Sequence, residues 1–180
     1  VLDSIRECEL RQYHPEVDYL GDIPSYIVKE GDFALIASGN SISRRDIAIQ
    51  LTKLSLPLYS YIHSSAYVSL NAVLGRGVFV GPHSIVSAHS YISDNVALNV
   101  YSGVGHGAII GPHCVMSPYS VINGDCELGE AVFLGSRVTL NPKIKVGSFS
   151  QIDAGCILRE PIDEFTLVSQ RVEQKVFDNR

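Results

Sequence analysis

The sequence predicts a mainly β fold, a parallel β-helix of six-residue repeats that follows a small α/β segment. Two patterns indicate this fold. Aliphatic residues or methionine recur at every sixth position over more than half of the chain, and proline often follows two positions later. The aliphatic positions are Ile62, Val68, Leu74, Val80, Val86, Ile92, Leu98, Val104, Ile110, Met116, Ile122, Leu128, Leu134, Leu140, Val146, Ile152 and Leu158.

Each repeat is predicted to be a short strand followed by a turn. Pro82, Pro112, Pro118 and Pro142 share one phase, where proline pre-sets φ for a turn and removes an N–H that a central strand needs. Six residues are too few for a repeating hairpin, but they fit one side of a triangular coil. Three repeats complete a coil of 18 residues, and coils stack about 4.8 Å apart as parallel strands.

The repeat defines the predicted domain boundaries. The β-helix is expected over residues 61–160, and the polar residues 161–180 are expected to form a short helix or a flexible tail. Residues 1–60 have a different character, typical of a small α/β domain.

The order of elements in residues 1–60 is that of a βαβ fragment. VLDSIREC is predicted to be helical, GDFALIASGN a strand, SISRRDIAIQLTKL a capped helix that starts at Ser41 or Ser43, and LPLYSYIH a second strand. Because the chain starts at Val1 and not at methionine, inside a helical stretch, we expect that residues are missing upstream.

Composition excludes several function classes. Charged residues make up 18% of the chain and the net charge is −5, so a basic nucleic-acid footprint is absent. No apolar run reaches membrane-spanning length, and no signal-peptide pattern opens the sequence. Cys114, Cys126 and Cys156 occupy the small-residue position of the repeat, so we expect core packing and reduced thiols, which fits a cytoplasmic protein.

The stretch GVGHGAIIG holds the main catalytic candidate. His106 comes two residues after Val104, at a predicted outward turn, with Ala88 below it and Gly124 and then Pro142 above it in its column. Asp125 stacks over Gly107 beside the histidine and is expected to orient the imidazole as a carboxylate orients a general base. Two alternatives stay open. The first is that His106 is only a solvated turn residue. The second is that Asp125 belongs to a surface ion-pair ladder with Lys143, as Glu127 is expected to do with Lys145.

The other histidines predict no metal site within one chain. His63, His83 and His113 fall on other sides of the prism from His106, and no histidine pair has ligand spacing. A zinc site formed by histidines of two subunits is the remaining possibility, because three histidines can form an open tetrahedral site.

The motifs YIHSSAYVS, GVGHGAIIG and VGSFSQIDAG, placed after EGDFALIASGNSISRR, resemble the family of sialic-acid O-acetyltransferases and nucleotide-amino-sugar N-acetyltransferases. The resemblance implies a left-handed β-helix and a Rossmann-like N-terminal domain that binds a nucleotide-linked sugar. It also implies a homotrimer with acetyl-CoA, as co-substrate, in the groove between adjacent β-helices. No metal is expected.

The resemblance assigns roles to individual positions. It implies that His106 is the general base, and that Asn99 is a further catalytic residue. It implies cofactor binding at Gly124, Ala154 and Gly155, to which we add Pro142, the next residue in the column of His106. It implies substrate binding at Gly39, Asn40 and Arg44. The family usually has an acidic residue directly after the histidine, where this chain has Gly107.

Basic residues late in the β-helix are further candidates. Arg137, Lys143, Lys145 and Arg159 are placed to meet the cofactor's phosphates, or else are ordinary surface charge. The predicted function is acetyl transfer from acetyl-CoA to a sugar amine or hydroxyl in surface glycan synthesis. The alternatives are a binding trimer without activity and a zinc enzyme that resembles γ-type carbonic anhydrase.

Overall fold

The computed structural model describes Leu2 and residues 16–170, so the predicted VLDSIREC helix and residues 171–180 lie outside the described part. Most of the described chain is a parallel β-solenoid of two-residue strands. The strands are β1 (Tyr61–Ile62), β2 (Tyr67–Val68), β3 (Val73–Leu74), β4 (Phe79–Val80), β5 (Ile85–Val86), β6 (Tyr91–Ile92), β7 (Ala97–Leu98), β8 (Gly103–Val104), β9 (Ile109–Ile110), β10 (Val115–Met116), β11 (Val121–Ile122), β12 (Glu127–Leu128), β13 (Phe133–Leu134), β14 (Thr139–Leu140), β15 (Lys145–Val146), β16 (Gln151–Ile152), β17 (Ile157–Leu158) and β18 (Leu167–Val168).

The strands form three parallel sheets, the sides of the prism. Sheet 1 has the order β1-β4-β7-β10-β13-β16-β18, sheet 2 contains β2, β5, β8, β11, β14 and β17, and sheet 3 contains β3, β6, β9, β12 and β15. Strands pair with a partner 18 residues away, as Tyr61 does with Phe79. This confirms the predicted parallel β-helix and its phase. We call its edges corner 1–2, corner 2–3 and corner 3–1, after the sheets that they join.

The repeated aliphatic positions fill the prism. From Val80 to Leu158 all of them are buried, and the small residues of the repeat lie with them in one continuous core. Cys114 and Cys126 are buried in this core, and each thiol contacts a backbone carbonyl oxygen of the next coil at 3.0 Å. Burial raises the pKa of Cys114 to about 12. Their burial confirms the prediction that these cysteines are core residues. Thiols buried in apolar surroundings are also unreactive.

The solenoid continues beyond the predicted boundary at residue 160. Ile162 forms a parallel bridge with Val146, and Leu167 of β18 pairs with Gln151. Both pairs are two residues short of the 18-residue spacing, so the last coil is shorter and leaves the six-residue phase. Residues 161–168 therefore belong to the β-helix and not to a helical or flexible tail.

The N-terminal segment, residues 16–60, contains one α-helix. Helix α1 spans Ser41–Lys53, after a short 3-10 helix at Ile23–Ser25. Helix α1 starts at Ser41, one of the two predicted starts, and its cap is Asn40, whose side chain accepts the N–H of Ser43 at 2.9 Å.

A small core holds this segment together. Ile36, Ala48, Leu51 and Leu56 are buried with Ile23. Ala34 and Leu58, on either side of α1, form a parallel bridge. The predicted helix is therefore present, but residues 16–60 contain this one bridge in place of the two predicted strands, and a Rossmann-like domain stays a prediction.

Candidate active site

His106 lies at corner 2–3, in the turn between β8 and β9. Its side chain is 72% exposed, as the repeat predicted. A turn residue of this kind makes little contribution to the core, because the aliphatic residues on either side of it point inward. An exposed imidazole is free to meet a second molecule.

The imidazole of His106 rests on the glycine of the coil above. A Cβ atom at Gly124 would lie 2.5 Å from Cε1, 2.6 Å from Nε2 and 3.1 Å from Nδ1 of the ring. Gly124 is buried, although its turn is at the surface. The ring position therefore depends on the absence of a side chain at Gly124.

A carboxylate from the coil above lies beside the imidazole. Oδ1 of Asp125 is 4.0 Å from Nδ1 of His106, and the backbone N–H of Asp125 donates to the His106 carbonyl at 2.9 Å. A Cβ atom at Gly107 would overlap Oδ1 of Asp125, and Gly107 has a φ of +64°. Asp125 thus occupies the space in which a side chain at position 107 would stand.

The alternative ladder at this corner does not form in the described part of the chain. Within residues 16–170 no ion pair joins Asp125 to Lys143. The second predicted ladder does form, because Nζ of Lys145 lies 2.9 Å from Oε1 of Glu127 on sheet 3. Lys145 is thus a paired surface charge.

Other predicted site residues lie at a different corner of the prism. Asn99, Ala154 and Gly155 are at corner 1–2, whereas His106 and Pro142 are at corner 2–3. The Asn99 side chain accepts the N–H of the next residue at 3.0 Å. Within one chain the structure does not bring these two sets of residues together.

A column of rings runs along corner 1–2, and sequence reasoning missed it. The rings of His83 and Tyr101 are stacked at 4.9 Å, those of Tyr101 and Tyr119 at 5.0 Å, and the guanidinium of Arg137 lies 5.3 Å from the Tyr119 ring centre. A Cβ atom at Gly155, the next position of the column, would meet nothing within 4 Å. The 18-residue spacing of these four side chains was the signal that could have revealed the column.

The N-terminal candidates divide into two kinds. Gly39 and Asn40 are exposed at the start of α1. Arg44 is only 1% exposed, and its guanidinium donates to backbone carbonyls of Ile36, Asn95 and Gly77. This position favours a structural role for Arg44 over direct contact with a substrate.

The described residues contain no group of three or more His, Cys, Asp or Glu side chains that could hold a metal ion. His83 stacks on a tyrosine, and His113 accepts a hydrogen bond from Asn95 at corner 3–1. No helix within the described ranges has the length and apolar character needed to cross a membrane.

Comparison with known proteins finds similarity at the level of structure. No protein-family model and no curated protein matches the chain. A variant of perosamine N-acetyltransferase from Caulobacter crescentus, solved with CoA and GDP-perosamine, is 26% identical with a TM-score of 0.80, over 84% of this chain and 73% of that one. The acetyltransferase domain of PglB from Neisseria gonorrhoeae, solved with acetyl coenzyme A, is 25% identical with a TM-score of 0.76, over 82% and 75%.

A third structure supports the fold alone. WeeI from Acinetobacter baumannii is 17% identical with a TM-score of 0.76, over 89% of this chain and 88% of that one. The two acetyltransferases above, and not this third structure, confirm the predicted enzyme class, an acyltransferase, and they were solved with CoA and with acetyl coenzyme A, respectively. They support the resemblance to N-acetyltransferases, whereas the resemblance to sialic-acid O-acetyltransferases is not confirmed.

Proposed function

We propose that this protein transfers the acetyl group of acetyl-CoA to an amine or hydroxyl of a nucleotide-linked sugar, in surface glycan biosynthesis. The observation that carries the proposal is the exposed imidazole of His106, which rests on Gly124 with the Asp125 carboxylate beside it. The Caulobacter enzyme that shares the fold was solved with CoA and a nucleotide-linked amino sugar, which supports an acceptor of that class.

His106 supplies the one chemical function that this transfer needs from a side chain. Its unprotonated ring nitrogen takes a proton from the acceptor amine or hydroxyl as the acceptor attacks the thioester carbonyl. The bond from carbonyl carbon to sulfur then breaks, and the proton on the imidazole balances the thiolate that leaves. No covalent enzyme intermediate is required.

Asp125 is proposed as the positioning residue for His106. Apo sites often hold catalytic hydrogen bonds long, so the 4.0 Å separation from Nδ1 is compatible with a bond that tightens when substrates bind. A carboxylate at Nδ1 fixes the tautomer that leaves Nε2 free to accept the proton, and it stabilises the imidazolium that forms. The carboxylate that the family carries directly after the histidine is thereby supplied from the next coil.

We propose a homotrimer, because the candidate residues lie at two corners. A groove between two copies that face each other, corner 2–3 of one against corner 1–2 of the other, would bring His106 and Gly124 together with Asn99, Ala154 and Gly155. Exposed apolar side chains flank corner 2–3 on both adjoining sheets, and burial between copies would remove them from water. They are Tyr67, Leu70, Val73, Ile85, Tyr91 and Ile109.

The acceptor is proposed to bind at the start of α1. Gly39 and Asn40 are exposed there, and the N-terminal end of a helix favours the negative charge of a diphosphate. Residues 16–60 are therefore called the acceptor segment below.

The proposed function is tested by thiol release from acetyl-CoA against nucleotide-linked amino sugars and free sialic-acid-type sugars. We expect release with a nucleotide-linked amino sugar, and none with the variant His106→Ala. Bound acetyl-CoA without release on any acceptor would contradict the proposal and support a binding trimer. Stoichiometric zinc in the purified protein would instead favour the alternative of a zinc enzyme that resembles γ-type carbonic anhydrase.

Replacement of the carboxylate beside His106 tests its positioning role. Asp125→Asn keeps the shape but removes the charge, and we expect kcat to fall by about 10- to 100-fold, because the imidazolium loses its counter-charge. Apparent KM for acetyl-CoA should change little. Steady-state kinetics of the variant and the wild-type protein checks both constants. An unchanged kcat would assign Asp125 to the surface.

A further inference from the structure

One buried arginine joins the acceptor segment to the β-helix. The Arg44 guanidinium donates from Nε to the Asn95 carbonyl at 2.7 Å and from Nη2 to the Gly77 carbonyl at 3.3 Å, both in the β-helix. It also donates to Ile36 at 2.6 Å and to Ser38 at 3.4 Å, just before α1. All four acceptors are backbone oxygens, and burial lowers the pKa of Arg44 to about 10. Arg44 thus fixes the start of α1 against the first coils.

Asn95 extends this connection to a histidine. Its side chain is fully buried, and Nδ2 donates to the Arg44 carbonyl at 3.1 Å and to Nδ1 of His113 at 2.9 Å. Turning the amide over would set its oxygen against the Arg44 carbonyl oxygen, so this carbonyl fixes the orientation of the amide and leaves Nδ2 facing the ring of His113. Nδ1 of His113 therefore carries no proton, and the ring is neutral with its proton on Nε2.

The surroundings of His113 favour the neutral ring. It is half-buried and borders a cavity of about 430 Å³ between the end of α1 and corner 3–1. Burial, and then the positive charges of Arg45 and Arg44, lower its pKa, while two carboxylates act in the opposite direction. The charged groups that face it are Glu130, Asp94, Arg44, Arg45 and, across the cavity, Arg76.

We propose that Arg44, Asn95 and His113 form a proton-sensitive joint that holds the acceptor segment on the β-helix, with Arg44 as a positioning residue for the acceptor. A proton on Nδ1 of His113 would point at the Asn95 amide hydrogens. The amide would then have to turn over, and its bond to the Arg44 carbonyl would be lost. The effect on the acceptor rests on the proposed function, whereas the joint itself does not.

The sign of the pH effect follows from the lowered pKa of His113. Above its ordinary pKa of about 6.5 the ring is neutral in folded and unfolded chains, and the joint is intact. As pH falls below that value the unfolded chain takes up a proton that the folded chain resists, so stability decreases. Once pH falls through the folded pKa the joint opens. Neutral and alkaline pH therefore favour the docked segment.

Two variants separate the joint from general stability. His113→Asn keeps an amide oxygen near the Nδ1 position, cannot titrate in this range, and suits the φ of +65°. Asn95→Gly removes the link and suits the φ of +57°. The measurement is hydrogen exchange of the full-length protein from about pH 8 to about pH 5, corrected for intrinsic rates, with amides of residues 97–158 as the internal reference.

In the wild-type protein we expect protection of residues 41–58 to fall by up to about tenfold per pH unit below the folded pKa, with the reference amides unchanged. His113→Asn should remove this pH dependence, and Asn95→Gly should lower protection at every pH. An unchanged pH dependence in His113→Asn, or full protection in Asn95→Gly, would overturn the joint.

A kinetic measurement then tests the positioning role. KM for the acceptor should rise in Asn95→Gly while KM for acetyl-CoA stays constant. Altered exchange with an unchanged KM for the acceptor would overturn the role of the acceptor segment in binding, independently of the joint. Absence of thiol release in the wild-type protein on every acceptor would instead contradict the proposed function.

Discussion

His106→Ala should reduce kcat/KM for acetyl transfer by about 10²- to 10⁴-fold, because a positioned general base contributes that much to a proton transfer. The melting temperature should change by no more than about 2 °C. The side chain is 72% exposed, and substitutions at such surface positions usually alter the free energy of unfolding by less than about 0.5 kcal/mol. Thiol release and thermal unfolding of the same preparation give both quantities.

A neighbouring histidine provides the matched control. His89 is exposed at corner 2–3, one coil below His106, and its φ of +60° accepts asparagine readily. We expect His89→Asn to keep most activity and His106→Asn to lose it. The reverse result would assign the base to His89. A large loss of stability in His106→Ala would show that the imidazole is structural.

The six-residue phase predicted most of the fold because the constraint behind it is strict. Each inward position must fill a narrow prism, so a polar residue such as lysine in place of Ile110 or Met116 would be buried without a partner. The phase failed only in the last coil. Val146 pairs with Ile162 and not with Glu164, since that coil is two residues shorter. Outside the β-helix no repeat exists, and the sequence predicted the start of α1 at Ser41 or Ser43 without identifying its cap, Asn40.

The site was predicted unevenly, for a physical reason. His106 and Asp125 follow from the repeat, because residues 18 apart stack and their neighbours along the turn are then known. Arg44 does not follow from any repeat. Its burial depends on how α1 docks at corner 3–1, and resemblance alone gave it a substrate-binding role. The rings along corner 1–2 share a phase that sequence reasoning did not follow, since it tracked inward positions and the column of His106.

Gly124→Ala should lower kcat by about 10- to 100-fold through a displaced imidazole. The added Cβ would lie 2.5 to 3.1 Å from three atoms of the His106 ring, so the ring must move by about an ångström, and a shift of that size costs about 10²-fold in a positioned site. The φ of Gly124 is not in the left-handed region, so alanine adds no backbone strain. The free energy of unfolding should therefore be unchanged, or slightly higher because alanine reduces the conformational freedom of the unfolded chain.

Gly103→Ala is the control for this substitution, because it adds the same methyl group three residues before the histidine without a collision. Its Cβ would meet only the Val121 methyl groups at 3.5 Å or more, an ordinary contact, so we expect near wild-type kcat. A double-mutant cycle decides the mechanism. If Gly124 acts through the ring, Gly124→Ala should cost nothing further in a His106→Ala background, so the two effects will not add. Additive losses would mean that the methyl group at position 124 obstructs a substrate and not the imidazole, and would move Gly124 from ring support to direct cofactor contact.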